Sequence, residues 1–318
     1  HALIQEGVEF QTLGMVVVDE QHRFGVRQRM VLGEKESRPD VLVMSATPIP
    51  RSMAMALYGD LDLSILDELP PGRKPVETKL VPPGRRPDVY ALLEKEMAQG
   101  RQAYLVYPLV EESDKVDLRS ATEEHRRLSE EVFSERRVGL LHGQLSGTEK
   151  DAVMRAFLAR DIDLLVATTV IEVGIDVPNA TVMVIEHAER FGLSQLPQLR
   201  GRVGRGGEKS TCILVSNPGE VAAERLKIFQ DTSDGFAIAR ADLQIRGQGD
   251  LFGAQQHGRD PILSFADLSR DEGILGEAQQ RARALISEDP GLSASGNQKI
   301  DSLLRTRHQE KLQMFGVG

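Results

Sequence analysis

Two short stretches carry side chains whose types and spacing suit phosphate chemistry. Residues 198–206 read QLRGRVGRG, three arginines and three glycines in nine positions of a chain whose net charge is −9. Guanidinium groups separated by glycines can converge on an oxyanion through paired N–H donors, or form an ordinary solvated basic turn. Arg202 and Arg205 are expected on one face of a helix that starts near Ser194. The second stretch, VVVDEQH at 16–22, sets Asp19 and Glu20 directly after an apolar run. One such carboxylate can hold Mg²⁺, usually through water, while the other orients or deprotonates an attacking water. A bare acidic turn at a strand end is the alternative.

Two further segments could join them. VLVMSATPIPRS at 41–52 places Ser45 and Thr47 after a second apolar run, where a Ser-Ala-Thr turn can hydrogen-bond the acidic motif and sense a terminal phosphate. Such a turn needs no function to exist. In VATTVIEVGIDVPNA at 166–180, Thr168 and Thr169 end a strand and could donate to a nucleic-acid phosphate. Gly174 permits a tight turn there, and Asp176 could accept from a ribose hydroxyl.

The elements that position these residues alternate. GMVVVDE and VLVMSAT read as buried parallel strands, and LDELPPGRKP at 66–75 reads as a linker. Beyond it QAYLVYPLV, RVGLLHG, IDLLVATT, ATVMVIEHA and STCILVS read as strands separated by helical stretches. Ser146 and Glu149 form a capping-box signal ahead of DAVMRAFLARD. The alternation predicts an α/β fold with parallel sheets covered by helices on both faces. Ligands of such sheets are expected outside the carboxyl ends of the strands. From about residue 217 the pattern turns helical.

With 318 residues the chain can hold about two domains. It contains no apolar run long enough for a membrane span and no signal peptide, so a cytoplasmic protein is expected. The lone Cys212, in STCILVS, is expected to be a small buried hydrophobe, and no Cys/His cluster suits zinc. The acidic balance argues against a protein coated in nucleic acid but leaves room for a local cationic track. No heptad run suggests self-association, so a monomer is expected.

In order and spacing these blocks resemble the superfamily 2 nucleic-acid-dependent ATPases. DEQHRFGVRQR, SATPIPRS, VIEVGIDVPNA, EHAERFGLSQLPQLRGRVGRG and DLQIRGQGDLFGAQQHG are similar to the RecG family of fork-remodelling DNA helicases. The resemblance implies two RecA-like domains, one partial and one complete, that use ATP and Mg²⁺ and act on branched duplex DNA at the bacterial nucleoid. It divides the chain into residues 1–70 (the end of a first domain), 71–216 (a second) and 217–318 (a helical translocation element and tail). It implies catalytic roles for Asp19, Glu20, Gln198, Arg202 and Arg205, with Mg²⁺ at Asp19 and Glu20, nucleotide binding at Gly174 and Asp176, and coupling through His22, Ser45 and Thr47. Nucleic-acid contact falls to Thr168, Thr169, Arg240, Arg246, Gln248 and Gln255.

Two departures qualify the resemblance. Pro197 stands where the family pattern has His, at a place in the first helical turn that tolerates proline. No G-x-x-x-x-G-K-[ST] occurs in the sequence, so the phosphate-cradling loop and the DNA-reading wedge are expected upstream of His1. The motor of a transcription–repair coupling factor is an alternative, disfavoured by the wording of VIEVGIDVPNA and EHAERFG. A non-hydrolytic DNA-binding module is a second, disfavoured by the carboxylates and both arginines. The expected outcome for the purified chain is ATP hydrolysis close to background in a coupled ATPase assay; robust turnover would contradict it.

Overall fold

A computed structural model describes residues 10–19, 39–45, scattered positions from 62 to 70, 72–108, 114–169, 176–246 and 271–315. The chain forms two units, one of residues 62–259, the other of 1–61 together with 260–318.

In the latter unit β1 (Met15–Val18) and β2 (Asp40–Val43) pair in parallel, Val18 opposite Val43. The carbonyl of Val18 accepts from the Met44 amide at 2.7 Å, so Asp19 and Ser45 follow the same end of the pair. Val18 is buried, whereas Met15, Val17, Val41 and Leu42 are exposed. The expectation of two buried strands is therefore met at one residue only. Apolar runs of this kind suit coverage on both faces, and among the described residues each of these strands has one strand neighbour.

The larger unit contains β3 (Glu77–Val81), α1 (Arg86–Ala98), β4 (Gln102–Val106) and α2 (Asp114–Arg127), which runs into a π-helical turn at Leu128–Val132. Then follow β5 (Val138–Leu141), α3 (Gly147–Leu158), β6 (Leu164–Ala167), β7 (Ala180–Glu186), α4 (Gln195–Arg200), β8 (Thr211–Val215), α5 (Glu220–Asp231) and α6 (Gly235–Arg246). The six strands pair in parallel in the order β3-β8-β7-β4-β6-β5. Successive side chains of a strand point to opposite faces, and β4 shows what each face meets. Ala103 and Leu105 enter a core with Val89, Leu93 and Met97 of α1 and Ala121 of α2. Tyr104 and Val106 enter the opposite core with Phe157 of α3 and Leu196 and Leu199 of α4. There the Tyr104 and Phe157 rings meet edge to face, centroids 4.9 Å apart.

The capping box forms as expected: the Glu149 amide donates to Ser146 Oγ, and the Ser146 amide to Glu149 Oε2 at 2.7 Å. Strand β3 escapes the sequence reading. ETKLV puts exposed Glu77 and Lys79 on either side of buried Thr78, the pattern of a sheet-edge strand beside a linker. Cys212 is fully buried in β8, and that burial pushes its thiol up to about 12 despite the Arg200 charge.

The helical region after residue 216 begins inside this unit, since Leu226, Phe229 and Ile238 belong to the same core as Tyr104. Arg200 ties the last turn of α4 to α5. Its Nη1 donates to the carbonyls of Phe229 and Thr232, both at 3.0 Å, and to Thr78 Oγ1 at 3.3 Å. The guanidinium carbon lies 4.1 Å from the Phe229 ring centroid. Burial lowers the pKa of this guanidinium, and hydrogen bonds to neutral oxygens offset the desolvation. In the other unit α7 (Glu272–Glu288) and α8 (Gln298–Phe315) flank a turn pinned by Asp289. Its carboxylate accepts from Asn297 Nδ2 and the Ala294 and Ser293 amides, which together hold it at about 2.

Arg200→Ala strands the buried Phe229 carbonyl and the half-buried Thr232 carbonyl and opens a cavity beside Phe229. Urea titration is expected to show about 2–4 kcal/mol of lost stability; a loss below ~0.5 kcal/mol would contradict the role given to Arg200.

Candidate functional site

Helix α4 sets the start of the arginine loop. Ser194 at its N-terminus makes no side-chain cap; Gln195 Oε1 instead accepts from the Gly192 amide at 3.1 Å. Pro197 is the third helical residue, where no intrahelical N–H bond is lost. The helix ends at Arg200, with the Gly201 amide donating to Pro197 at 2.9 Å. Arg202 and Arg205 therefore do not share a helix face, as their three-residue spacing had suggested. They lie on the loop that follows, where Gly201 and Gly204 end the helical path.

The glycines let this loop lie close to its neighbours. Gly204 has φ +75°, and a Cβ there would come within 2.8 Å of Val76 Cγ2. A Cβ on Gly206 would meet the Pro178 carbonyl oxygen at 2.5 Å. Val76 precedes β3, Pro178 precedes β7 and the loop runs into β8, so the arginines occupy the amino edge of the sheet. Chemistry was expected at the carboxyl edge. For these residues that expectation fails, because the chain returns across the sheet through α4 before reaching Arg202 and Arg205.

At this edge Arg205 Nε donates to the Gly201 carbonyl at 2.8 Å, and its Nη1 pairs with Asp176. Asp176, read as a ribose acceptor, thus binds an arginine of the loop. Arg73 Nη2 donates to the same Gly201 carbonyl at 3.1 Å, and Lys74 Nζ donates to the Gly207 carbonyl. Burial of Tyr104 beneath raises its hydroxyl to about 12, while Arg202 and Arg205 favour its ionised form. Gln198 is half-buried on α4.

The carboxyl edge holds Thr168 and Thr169. Thr168 is fully buried at the end of β6, and its amide donates to the Leu141 carbonyl at 3.1 Å. Leu141 and Ala167 are opposite in register, which puts His142 beside Thr168. Among the described residues Thr168 Oγ1 and His142 Nδ1 are buried without hydrogen-bond partners, and burial first, then Lys150, lowers the His142 pKa. Thr169 follows, half-buried. Arg240 is exposed on α6, and Arg246 is the last residue of that helix. Glu20, His22, Thr47, Gly174, Gln248 and Gln255 lie outside the described residues.

Sequence reasoning missed Arg73 and His142. PPGRKP reads as linker because proline and glycine dominate it, and His142 lacked a signal beyond ending an apolar strand. Among the described residues no three His, Cys, Asp or Glu side chains gather as a metal group, and no helix is long and apolar enough to cross a membrane. Gly204→Ala combines a left-handed backbone with a clash at Val76. It is expected to lower stability by about 1–3 kcal/mol, read by thermal or urea unfolding; an unchanged midpoint would contradict the close packing.

Comparisons with known proteins bear on the family and the fold. Residues 88–207 match the helicase conserved C-terminal domain, and residues 232–314 match the C-terminal part of domain 3 of the ATP-dependent DNA helicase RecG. The chain is 52% identical over 306 residues to RecG of Synechocystis sp., covering 96% of this chain and 37% of that protein. It is 57% identical over 289 residues to RecG of Thermotoga maritima, covering 91% of this chain and 37% of the relative. A solved structure of RecG bound to a three-way DNA junction superposes with TM-score 0.66 at 52% identity, covering 86% of this chain and 35% of that one. The helicase MrfA bound to DNA and AMPPNP shares the fold, with TM-score 0.50 at 14% identity over 81% of this chain and 43% of that one. The chain thus spans about two fifths of the length of the curated relatives. Over that span it is strongly homologous to the RecG helicases and matches their C-terminal portion.

Proposed function

We propose that the chain is a motor portion of an ATP-dependent DNA helicase that acts on branched duplex DNA at the nucleoid. In this reading residues 1–70 complete a first RecA-like domain, 71–216 form the second, and 217–318 form the translocation element and tail. The observation that carries it is the arginine loop at the amino edge, braced by Arg200 and packed glycine to backbone, with a separate set of polar groups at the carboxyl edge.

ATP suits the amino edge. Arg202 and Arg205 would meet its terminal phosphates, Gln198 would approach from α4, and Asp176, after Gly174, would turn to the ribose. Arg205 already bonds an acidic oxygen there, so an anion replaces one acceptor by another. Asp19 and Glu20 would hold Mg²⁺ through water and orient the attacking water, with His22, Ser45 and Thr47 relaying phosphate occupancy. Bound ATP supplies the free energy of phosphoryl transfer, and a P-loop is required that this sequence does not contain. At the carboxyl edge, Thr168 and Thr169 would donate to a DNA phosphate. Arg200 joins the loop to α5, so a displaced loop would move α5 and α6 and, with them, Arg240 and Arg246 along the duplex; the same reading gives Gln248 and Gln255 duplex contact.

ATP turnover on forked and on linear duplex DNA tests this in a protein that carries the chain together with a P-loop domain. Preference for the fork is expected, with Arg202→Ala and Arg205→Ala each losing about 10³–10⁵-fold in kcat. Backbone contacts without base readout predict affinity falling with salt at about −0.9 per neutralised phosphate. Equal turnover on both substrates would contradict the fork reading and favour a generic duplex translocase such as the coupling-factor motor.

A further inference from the structure

Arg73 lies in a segment whose composition marks only a linker. Gly72 before it has φ +82°, and the Arg73 amide closes the turn by donating to the Pro70 carbonyl at 3.2 Å. The turn sends the side chain onto the arginine loop, where Arg73 Nη2 and Arg205 Nε bond one acceptor, the Gly201 carbonyl, at 3.1 and 2.8 Å. Two cations on one neutral oxygen repel each other. Burial and then the Arg205 charge lower the Arg73 pKa, and Asp176 acts the other way. Lys74 adds a third cation on the neighbouring Gly207 carbonyl. Arg73, Lys74 and Arg205 thus surround a short stretch of backbone with Asp176 as the carboxylate paired to Arg205. A polyanion with several oxygens satisfies such an arrangement better than a carbonyl does.

We propose that Arg73 is a further phosphate-contacting residue of the nucleotide site. The inference rests on the reading that Arg202 and Arg205 meet the terminal phosphates of a nucleoside triphosphate. The Gly201 carbonyl accepts from both Arg73 and Arg205, and Asp176 pairs with Arg205. The triphosphate takes over as their common acceptor, so Arg73, already seated on the loop, exchanges the Gly201 carbonyl for a phosphate oxygen. The contact adds charge stabilisation and involves no covalent step.

The test uses Arg73→Gln, which keeps an N–H donor for Gly201 but removes the charge, and Arg73→Lys, which keeps the charge. Both are made in a protein carrying this chain with a P-loop domain, beside Arg205→Ala as reference. Arg73→Gln is expected to lower kcat/KM for ATP on the order of 10²-fold with its thermal midpoint and duplex affinity unchanged. Arg73→Lys should recover most of that loss. Combining Arg73→Gln with Arg205→Ala should cost less than the product of the single effects, because both act on one phosphate group. Wild-type kcat/KM in Arg73→Gln, with Arg205→Ala impaired, overturns the inference and leaves the proposed function standing. Equal losses in Arg73→Gln and Arg73→Lys with a lowered thermal midpoint also overturn it, making Arg73 a brace for the loop. Wild-type turnover in Arg205→Ala removes the finger reading itself.

Discussion

One buried guanidinium organises the part of the larger unit that carries the arginine loop. Arg200 spans from the end of α4 to the carbonyls of Phe229 and Thr232 and to Thr78 of β3. These acceptors are neutral, so the cation stays buried through hydrogen bonding and ring contact rather than charge pairing. Removing it would leave α5 with unpaired carbonyls and the arginine loop without a fixed origin. The loop's close packing on Val76 and Pro178 then sets where Arg202 and Arg205 emerge. Position comes from Arg200 and the glycines; charge comes from the other two arginines.

The larger unit therefore presents two polar edges of different chemistry. At the amino edge several cations surround one loop, with Asp176 bound to Arg205. At the carboxyl edge Thr168 and His142 carry buried polar atoms that have no hydrogen-bond partner among the described residues. Helix α4 links the edges, since it begins beyond the carboxyl end of β7 and ends at the arginine loop. An event at one edge thus has a packed, continuous element through which to reach the other.

Legibility in the sequence followed the physics of each element. Strands β4 and β6 to β8 were readable because burial on both faces demands unbroken apolar runs, and the edge strand β5 because VGLL is apolar throughout although only Leu141 is fully buried. β3 was not, since its alternating charges suit an edge strand that one neighbour covers. The apolar runs of β1 and β2 announced strands correctly but not their exposure, which depends on neighbours rather than on composition. The arginine loop was readable by residue type, while its geometry was not, because Gly201 ends the helix before the spacing of Arg202 and Arg205 can act. Arg73 was hidden for a related reason. Its role comes from a contact 128 residues away in sequence, and local pattern holds no trace of such a contact.

The central claim is that the arginine loop passes from Asp176 to the phosphates of a bound nucleotide. The most direct measurement is a structure of a protein carrying this chain with its P-loop domain, bound to forked DNA and ADP–aluminium fluoride. The account predicts Arg202 and Arg205 within hydrogen-bonding distance of the fluoride, with Asp176 released from Arg205. Arg205 still on Asp176, with both arginines away from the fluoride, would contradict it.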